Sequence, residues 1–251
     1  KPSDSSKTIG QIRQRLALTG DLKLDSKSNV YDEELMAGIL NYKKRNGFNT
    51  DYLIASKHIQ RMNIPIENYI KTIIANMERC RWIDPKLTKT DEYIIINIPS
   101  YQFFFKKNGQ NELESKVFVG KNMNKTVVLS SNIDKIVFSP YWNIPKSIIE
   151  NEIKYAIERD ENYLEKHNIE WYKGNLRQKP GPKNSLGLVK FIFPNSEDIY
   201  LHDTPSKDLF QYEYRAYSHG CINIEKAKEL ALLILKDDPD WPVERINDAM
   251  K

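Results

Sequence analysis

The hydrophobic repeat of this chain changes near Glu92, and that change constrains the fold more than any other feature. Before it, apolar residues recur at helical spacing. Tyr31, Leu35, Ile39 and Tyr42 fall at i, i+4, i+8 and i+11, and Asn46-Gly47 then stops the helix. Ile66, Ile70, Ile73 and Met77 form a second apolar face after Pro65, a residue suited to a first helical turn. Residues 51–62 between them predict one more helix. After Glu92 the period shortens to two. Residues 93–98, 101–105, 116–119, 126–129 and 135–138 read as short strands, with Pro99-Ser100 and Lys107-Asn108-Gly109 as turns. The alternation breaks at Pro145, behind which Ile149, Ile153, Ala156 and Ile157 share one helical face up to about Lys166. Polar sequence with prolines and glycines runs on to Gly187. Strands return at 188–193 and 198–202, and residues 225–236 predict a helix with Leu230 and Ile234 on one side. The expected fold class is α+β: a small helical module, then a largely β domain that carries a helical insertion.

Composition narrows the classes of function. The 251 residues suffice for one large or two modest domains. Apolar residues make up 40%, a little under the usual ~45–50% that includes glycine, but aromatics at 11% and many isoleucines can build a core. With 38 basic and 34 acidic residues the net charge is only +4, a mixed surface that gives no sign of nucleic-acid binding. No apolar run reaches the ~18 residues of a membrane span. No leader pattern follows Lys1, so the chain reads either as cytosolic or as the mature part of an exported protein, with any membrane tether outside it. There are two cysteines, Cys80 and Cys221. If Cys221 works as a free thiol, Cys80 has no obligatory partner, and no disulfide is expected.

The chemistry concentrates in Ser218-His219-Gly220-Cys221-Ile222-Asn223. Upstream, Tyr200-Leu201-His202-Asp203-Thr204-Pro205 ends a predicted strand, and 15 residues separate His202 from Ser218, enough to bring the two segments back together. A free thiol titrates near ~8.5 and needs a base to attack near neutral pH. An imidazole distant in sequence can serve. Gly220 removes a side chain next to the cysteine, so that a substrate carbonyl can approach backbone N–H groups. Cys221 and His202 are therefore a candidate acyl-transfer pair. A buried structural cysteine and a strand-end histidine are the plainer alternatives. Zinc on His202, His219 and Cys221 is a weaker reading, because His58, His167 and Cys80 are not at ligand spacings for a fourth position; no metal or organic cofactor is expected.

The same residues, with Arg177-Gln178-Lys179-Pro180-Gly181-Pro182-Lys183-Asn184-Ser185-Leu186-Gly187, Lys190-Phe191-Ile192-Phe193-Pro194-Asn195, Leu209-Phe210, Tyr141-Trp142-Asn143-Ile144-Pro145 and Asn76-Met77-Glu78-Arg79-Cys80-Arg81-Trp82, resemble the larger L,D-transpeptidases. Ile12-Arg13-Gln14-Arg15-Leu16 and Asn41-Tyr42-Lys43-Lys44-Arg45-Asn46-Gly47 resemble the framework of a degenerate peptidoglycan-binding module. Leu53-Ile54-Ala55-Ser56 stands where such modules usually carry a glycine turn, which suits a helical spacer or docking surface. The resemblance implies a module at 8–65, a connecting helix and linker at 66–91, and a catalytic domain at 92–251 with a substrate-capping lid at 141–185. The lid would cover a thioester and exclude water.

By the same resemblance Cys221 is the nucleophile and His202 the base, oriented by the backbone carbonyl of Asp203. The Asp203 carboxylate is a second candidate, although adjacent strand side chains point to opposite faces. Backbone N–H groups of Gly220 and Cys221, with His219 as a further one, would hold the oxyanion. The His219 side chain either shapes the loop or orients substrate and lowers the thiol pKa. Ser218, Asn223, Arg215, Tyr200, Tyr217 and Trp142 are the substrate-binding candidates. Asn223 departs from the larger relatives, in which arginine is common, so Arg215 is the candidate cation for a substrate carboxylate. The implied activity is 3→3 cross-linking of peptidoglycan stem peptides at the cell envelope, with carbapenems as covalent inhibitors. The implied alternatives are trimming of tetrapeptide stems by an L,D-carboxypeptidase and wall binding without catalysis.

Overall fold

The structure is a computed structural model that describes residues 1–251, the side chain of Thr88 excepted. It divides into two compact units, Lys1–Lys89 and Thr90–Lys251. No helix among the described residues is long and apolar enough to cross a membrane.

The first unit contains α1 (Lys7–Leu18), α2 (Glu33–Asn46), α3 (Ser56–Met62) and α4 (Ile66–Cys80). Ser6 and Asp32 cap α1 and α2 through their side chains, and Gly47 ends α2 in the left-handed conformation at φ 72°. Ile9, Ile12, Leu16, Leu35, Ile39 and Tyr42 make its core. Beside them Arg13 is fully buried, yet its guanidinium reaches Asp32 at 2.6 Å, Glu34 at 2.9 Å and the carbonyls of Ser28 and Val30. The charge is thus compensated rather than stranded. The helix expected over 51–62 starts only at Ser56. The apolar face of α4 forms as expected, but no residue of α4 is buried.

In the second unit the strands are β1 (Glu92–Asn97), β2 (Gln102–Lys107), β3 (Gln110–Gly120), β4 (Lys135–Phe138), β5 (Trp142–Asn143), β6 (Ile169–Tyr172), β7 (Asn175–Gln178), β8 (Val189–Ile192), β9 (Leu201–His202), β10 (Ala216–Ser218) and β11 (Ile222–Ile224). One sheet runs β1-β2-β3-β11-β9-β8-β4, with β10 beside β3. The β9–β11 and β10–β3 pairs are parallel; the other pairs are antiparallel. The strand expected at 126–129 does not form. That segment is a loop, because Thr126 is drawn inward by side-chain bonds to Gly120 and Gly220. One sheet face carries Phe103, Val117, Val119, Val189, Phe191, Leu201, Ile222 and Ile224. It packs on α8 (Ala227–Ile234) and α9 (Val243–Ala249) through Leu230, Ala231 and Ile246.

The insertion differs from a helix followed by polar chain. It holds α5 (Lys146–Ile148), a π-turn over Ile149–Ile153, α6 (Lys154–Arg159) and α7 (Tyr163–Lys166). These pack on a second sheet ordered β5-β7-β6. Ile144, Ile148, Ile153, Ile169 and Leu176 give it a buried core of its own. The hairpin β6–β7 was hidden because Glu170, Lys173, Asn175 and Arg177 make its sequence read as polar. Arg177 bonds Glu170 across the pair at 2.7 Å and lies 3.5 Å over the Tyr172 ring. The polar tract is therefore a charged, paired surface.

Gly187, at the end of this insertion, is not a free hinge. Its φ of +61° is left-handed, and a Cβ placed there would stand 2.4 Å from the Asp203 carboxylate. Asp203 packs into that gap, accepts from the Leu188 N–H at 2.9 Å and pairs with Lys207 at 2.6 Å. Gly187→Ala is expected to cost about 2 kcal/mol, from backbone strain plus the displaced carboxylate. Urea unfolding measures this; an unchanged midpoint would mean that Asp203 steps aside freely.

Candidate active site

Alternation along the strands builds the site. Lys190 stands opposite His202 in the β8–β9 register, and Asn223 opposite His202 in β9–β11. Their neighbours Phe191, Leu201, Ile222 and Ile224 face the core, so Lys190, His202 and Asn223 face the other side. The Ile222 N–H donates to the Tyr200 carbonyl at 3.1 Å, which extends the ladder and sets Cys221 beside Tyr200 on that same face. Phe118, opposite Asn223, stacks on Phe210 at 4.0 Å and meets the edge of Tyr217 at 5.6 Å.

His202 is buried, and its Nδ1 lies 2.5 Å from the Asp203 carbonyl. An imidazole facing a carbonyl must donate, which places the proton on Nδ1 and leaves Nε2 as the basic nitrogen. Burial pushes the ring down to about 4, against the opposing pull of Asp203, so the imidazole is neutral at ordinary pH. The Asp203 carboxylate faces Leu188 and Lys207 instead.

Cys221 is a half-buried free thiol. Burial raises its pKa; hydrogen bonding to Tyr200 and the nearby Lys190 cation oppose this. Among the described residues the thiol's hydrogen-bond partner is the Asp198 carbonyl at 3.8 Å, and Tyr200 stands beside it. Tyr200 also neighbours the Trp142 side chain of β5, and burial pushes its phenol up. Tyr200 therefore stays protonated and can donate.

The loop before Cys221 is held by hydroxyls. Thr126 Oγ1 donates to the Gly220 carbonyl at 2.7 Å and accepts from the Gly120 N–H at 2.9 Å. Ser218 Oγ donates to the Cys221 carbonyl at 2.5 Å and accepts from the Gly220 N–H at 3.2 Å. Two expectations change accordingly. Ser218 closes the loop on itself and has no proton left for substrate. The Gly220 N–H is engaged, so the remaining candidates for an oxyanion donor are the Cys221 N–H, with the Tyr200 hydroxyl beside it and the His219 N–H further back.

Arg215 is a larger correction. It is buried, and its guanidinium donates to the carbonyls of Tyr212 at 2.6 Å, Tyr101 at 3.1 Å and Val117 at 3.4 Å. It ties β10 to β2 and β3 and cannot grip a substrate carboxylate. His219 is exposed. Its Nε2 meets Glu152 of the π-turn at 2.6 Å and Lys121 at 3.2 Å, so it links the cysteine loop to the insertion. Tyr217 stands at the rim. Asn223 is buried, and its Oδ1 has no hydrogen-bond partner among the described residues.

Sequence reasoning passed over Thr126, Glu152 and Lys190. Thr126 and Glu152 reach the loop from distant segments, and no local pattern marks them. Lys190 did leave a signal: a lysine set between Val189 and Phe191 in an otherwise apolar strand. No group of three or more metal-ligating side chains is clustered among the described residues.

Residues 91–244 match the L,D-transpeptidase catalytic domain family, YkuD. A Haemophilus influenzae protein with the provisional name L,D-transpeptidase is 35% identical over 178 residues, 62% of this chain and 36% of that protein. The chain thus spans about a third of the length of the curated relative it matches. Among solved structures, an L,D-transpeptidase from Stackebrandtia nassauensis aligns over 92% of this chain and 87% of its own at 12% identity and a TM-score of 0.37. An LD transpeptidase in complex with imipenem aligns over 57% and 54% at 15% identity and a TM-score of 0.36. Likeness this low adds nothing about the site, but the family match takes in more than half of the chain, including the whole cysteine-bearing sheet. The chain belongs to the L,D-transpeptidase catalytic domain family.

Proposed function

We propose that this chain catalyses peptidoglycan L,D-transpeptidation through an acyl-thioester on Cys221. The observation that carries the reading is the shared sheet face: a half-buried thiol beside Tyr200, with a neutral imidazole two residues further along β9 whose tautomer is set by a backbone carbonyl. Catalytic contacts in ligand-free sites are commonly long and tighten around substrate. In the reaction Cys221 Sγ forms a bond to the carbonyl carbon of the third residue, a diamino acid, of a donor tetrapeptide stem. Its proton passes to His202 Nε2. The Cys221 N–H and the Tyr200 hydroxyl stabilise the oxyanion. The C–N bond to the terminal D-alanine breaks, and the departing amine takes the proton from His202. The side-chain amine of a second stem then attacks the thioester and gives its proton to His202, which returns it to the sulfur. The product is a 3→3 cross-link.

Trp142 and the insertion are suited to keeping water from the thioester. Asn223 Oδ1 offers an acceptor for a substrate N–H. A carbapenem would acylate the same sulfur. The natural setting of such chemistry is the cell envelope.

The deciding test is a defined disaccharide tetrapeptide with and without an acceptor amine, followed by mass spectrometry. A protein adduct corresponding to loss of alanine, resolved by the amine into cross-linked dimer, is the expected result. Tripeptide released at the same rate with or without amine would mark a carboxypeptidase. No adduct and no product would mark a wall-binding protein. Cys221→Ala is expected to abolish both the adduct and the product while leaving the fold intact.

His202→Ala is expected to lower turnover at least ~10²-fold, and His219→Ala less. The pH profile gives an independent check. Because burial holds His202 near 4, it can accept a proton at any pH above that value. The acid limb of kcat/KM should therefore lie near pH 4, well below the ~6.5 of free imidazole. A limb at or above that value would mean that the base is not the buried imidazole.

A further inference from the structure

The nucleophile has a cation beside it that is not an imidazolium. Lys190 lies in the middle of β8, directly opposite His202, and shares its sheet face with His202, Asn223 and Cys221. Its Nζ sits 4.7 Å from the centroid of the Tyr200 ring, and Tyr200 neighbours the Cys221 thiol. Lys190 is half-buried, and among the described residues it has neither a hydrogen bond nor a carboxylate partner. Lys43, Lys107, Lys121, Lys166, Lys179 and Lys207, by contrast, have carboxylates within 4 Å. A half-buried ammonium without a counter-ion leaves its field to the groups around it.

We propose that Lys190 is a positioning residue for the Cys221 thiolate: its ammonium, held over the Tyr200 ring, is the counter-charge that makes the sulfur anion accessible.

The other charged and titratable groups around the sulfur leave this part open. His202 is buried and neutral, so no imidazolium faces the thiolate at rest. Tyr200 stays protonated and brings no charge to the sulfur. Asp198, in the turn before β9, places its carbonyl near the sulfur, and its carboxylate works against the anion. His219 and Lys121 are both turned to Glu152 on the insertion side. Trp142 is neutral. Arg215, the cation expected from sequence, is spent on three carbonyls. The cation-π contact with Tyr200 fixes where the charge stands. Lys190 also disfavours protonation of His202, which keeps the base free to accept.

The inference rests on Cys221 as the reacting thiol but not on the identity of the acyl donor, so it is tested without peptidoglycan. In a Cys80→Ser background only Cys221 can react. Iodoacetamide is added across pH 5 to 11; the thiolate displaces iodide to form the S–C bond, and the rate follows the thiolate fraction. Lys190→Met is expected to move the midpoint of this profile to higher pH by half a unit to one unit. The rate near pH 7 should fall about three- to tenfold with the alkaline plateau unchanged, since one unit is a factor of ten. Lys190→Arg, which keeps the charge, should stay within about twofold of the parent. Lys190→Gln repeats the neutral substitution if Lys190→Met fails to fold. An unmoved midpoint in the neutral variants overturns the proposal. So does a midpoint that follows His202→Gln instead of Lys190. Iodoacetate run in parallel covers the remaining case. Loss of the iodoacetate rate alone, with the iodoacetamide midpoint unmoved, would mean that Lys190 binds a reagent carboxylate and does not set the thiolate, which also overturns the proposal. Failure of the transpeptidase reading would leave the alkylation profiles as they are.

Discussion

The parallel pairing of β9 with β11 carries the site. It comprises two register pairs, Leu201 with Ile222 and His202 with Asn223, yet His202, Asn223 and Cys221 all take their places from it. Its register is set from the opposite face. Leu201, Ile222 and Ile224 are buried against the sheet core, each side chain contributing about 1.5–3 kcal/mol by leaving water. A slip of one residue would expose those side chains and turn His202 and Cys221 into the apolar interior. Hydrophobic burial on one face is therefore what holds the candidate site on the other.

The site that results is short of charge at its centre. The imidazole is neutral because it is buried, and its proton is fixed by a backbone carbonyl and not by a carboxylate. Asp203 is turned away by the close approach of Gly187 and by Lys207. A neutral base suits acyl transfer, because it has a free lone pair at neutral pH. Tyr200 and Lys190 are brought to the thiol's side of the sheet by the same two-residue alternation.

The cysteine loop is tied down by hydroxyl groups. Thr126 spans Gly120 and Gly220, and Ser218 folds the loop onto the Cys221 carbonyl. A carbonyl drawn inward turns the following N–H outward across the planar peptide, so Thr126 acting on Gly220 aims the Cys221 N–H at the open side. The insertion meets this loop through Glu152 on His219, and its Trp142 neighbours Tyr200 on the strand beside it. Its own core and three-stranded sheet make it a folded cap that shares residues with the reaction centre.

The sequence by itself determined much of this protein. Its change of period near Glu92 separates a helical unit from a β-rich one, since helices and strands bury apolar faces at different spacings. That the segments of His202 and Cys221 come together was legible, because the 15-residue gap allows their strands to meet. The β6–β7 hairpin was not legible, because its cross-strand ion pairs look like loop composition until the partners are placed. Nor was the fate of Arg215, which reads as an exposed cation and is instead buried among three carbonyls. Only the tertiary structure decided which polar groups are spent and which are left free. Ser218, the Gly220 N–H and Arg215 are spent; the Cys221 N–H, Asn223 Oδ1 and Lys190 are left. That distinction depends on hydrogen bonds and burial contributed by segments far apart in the chain, which no local pattern encodes.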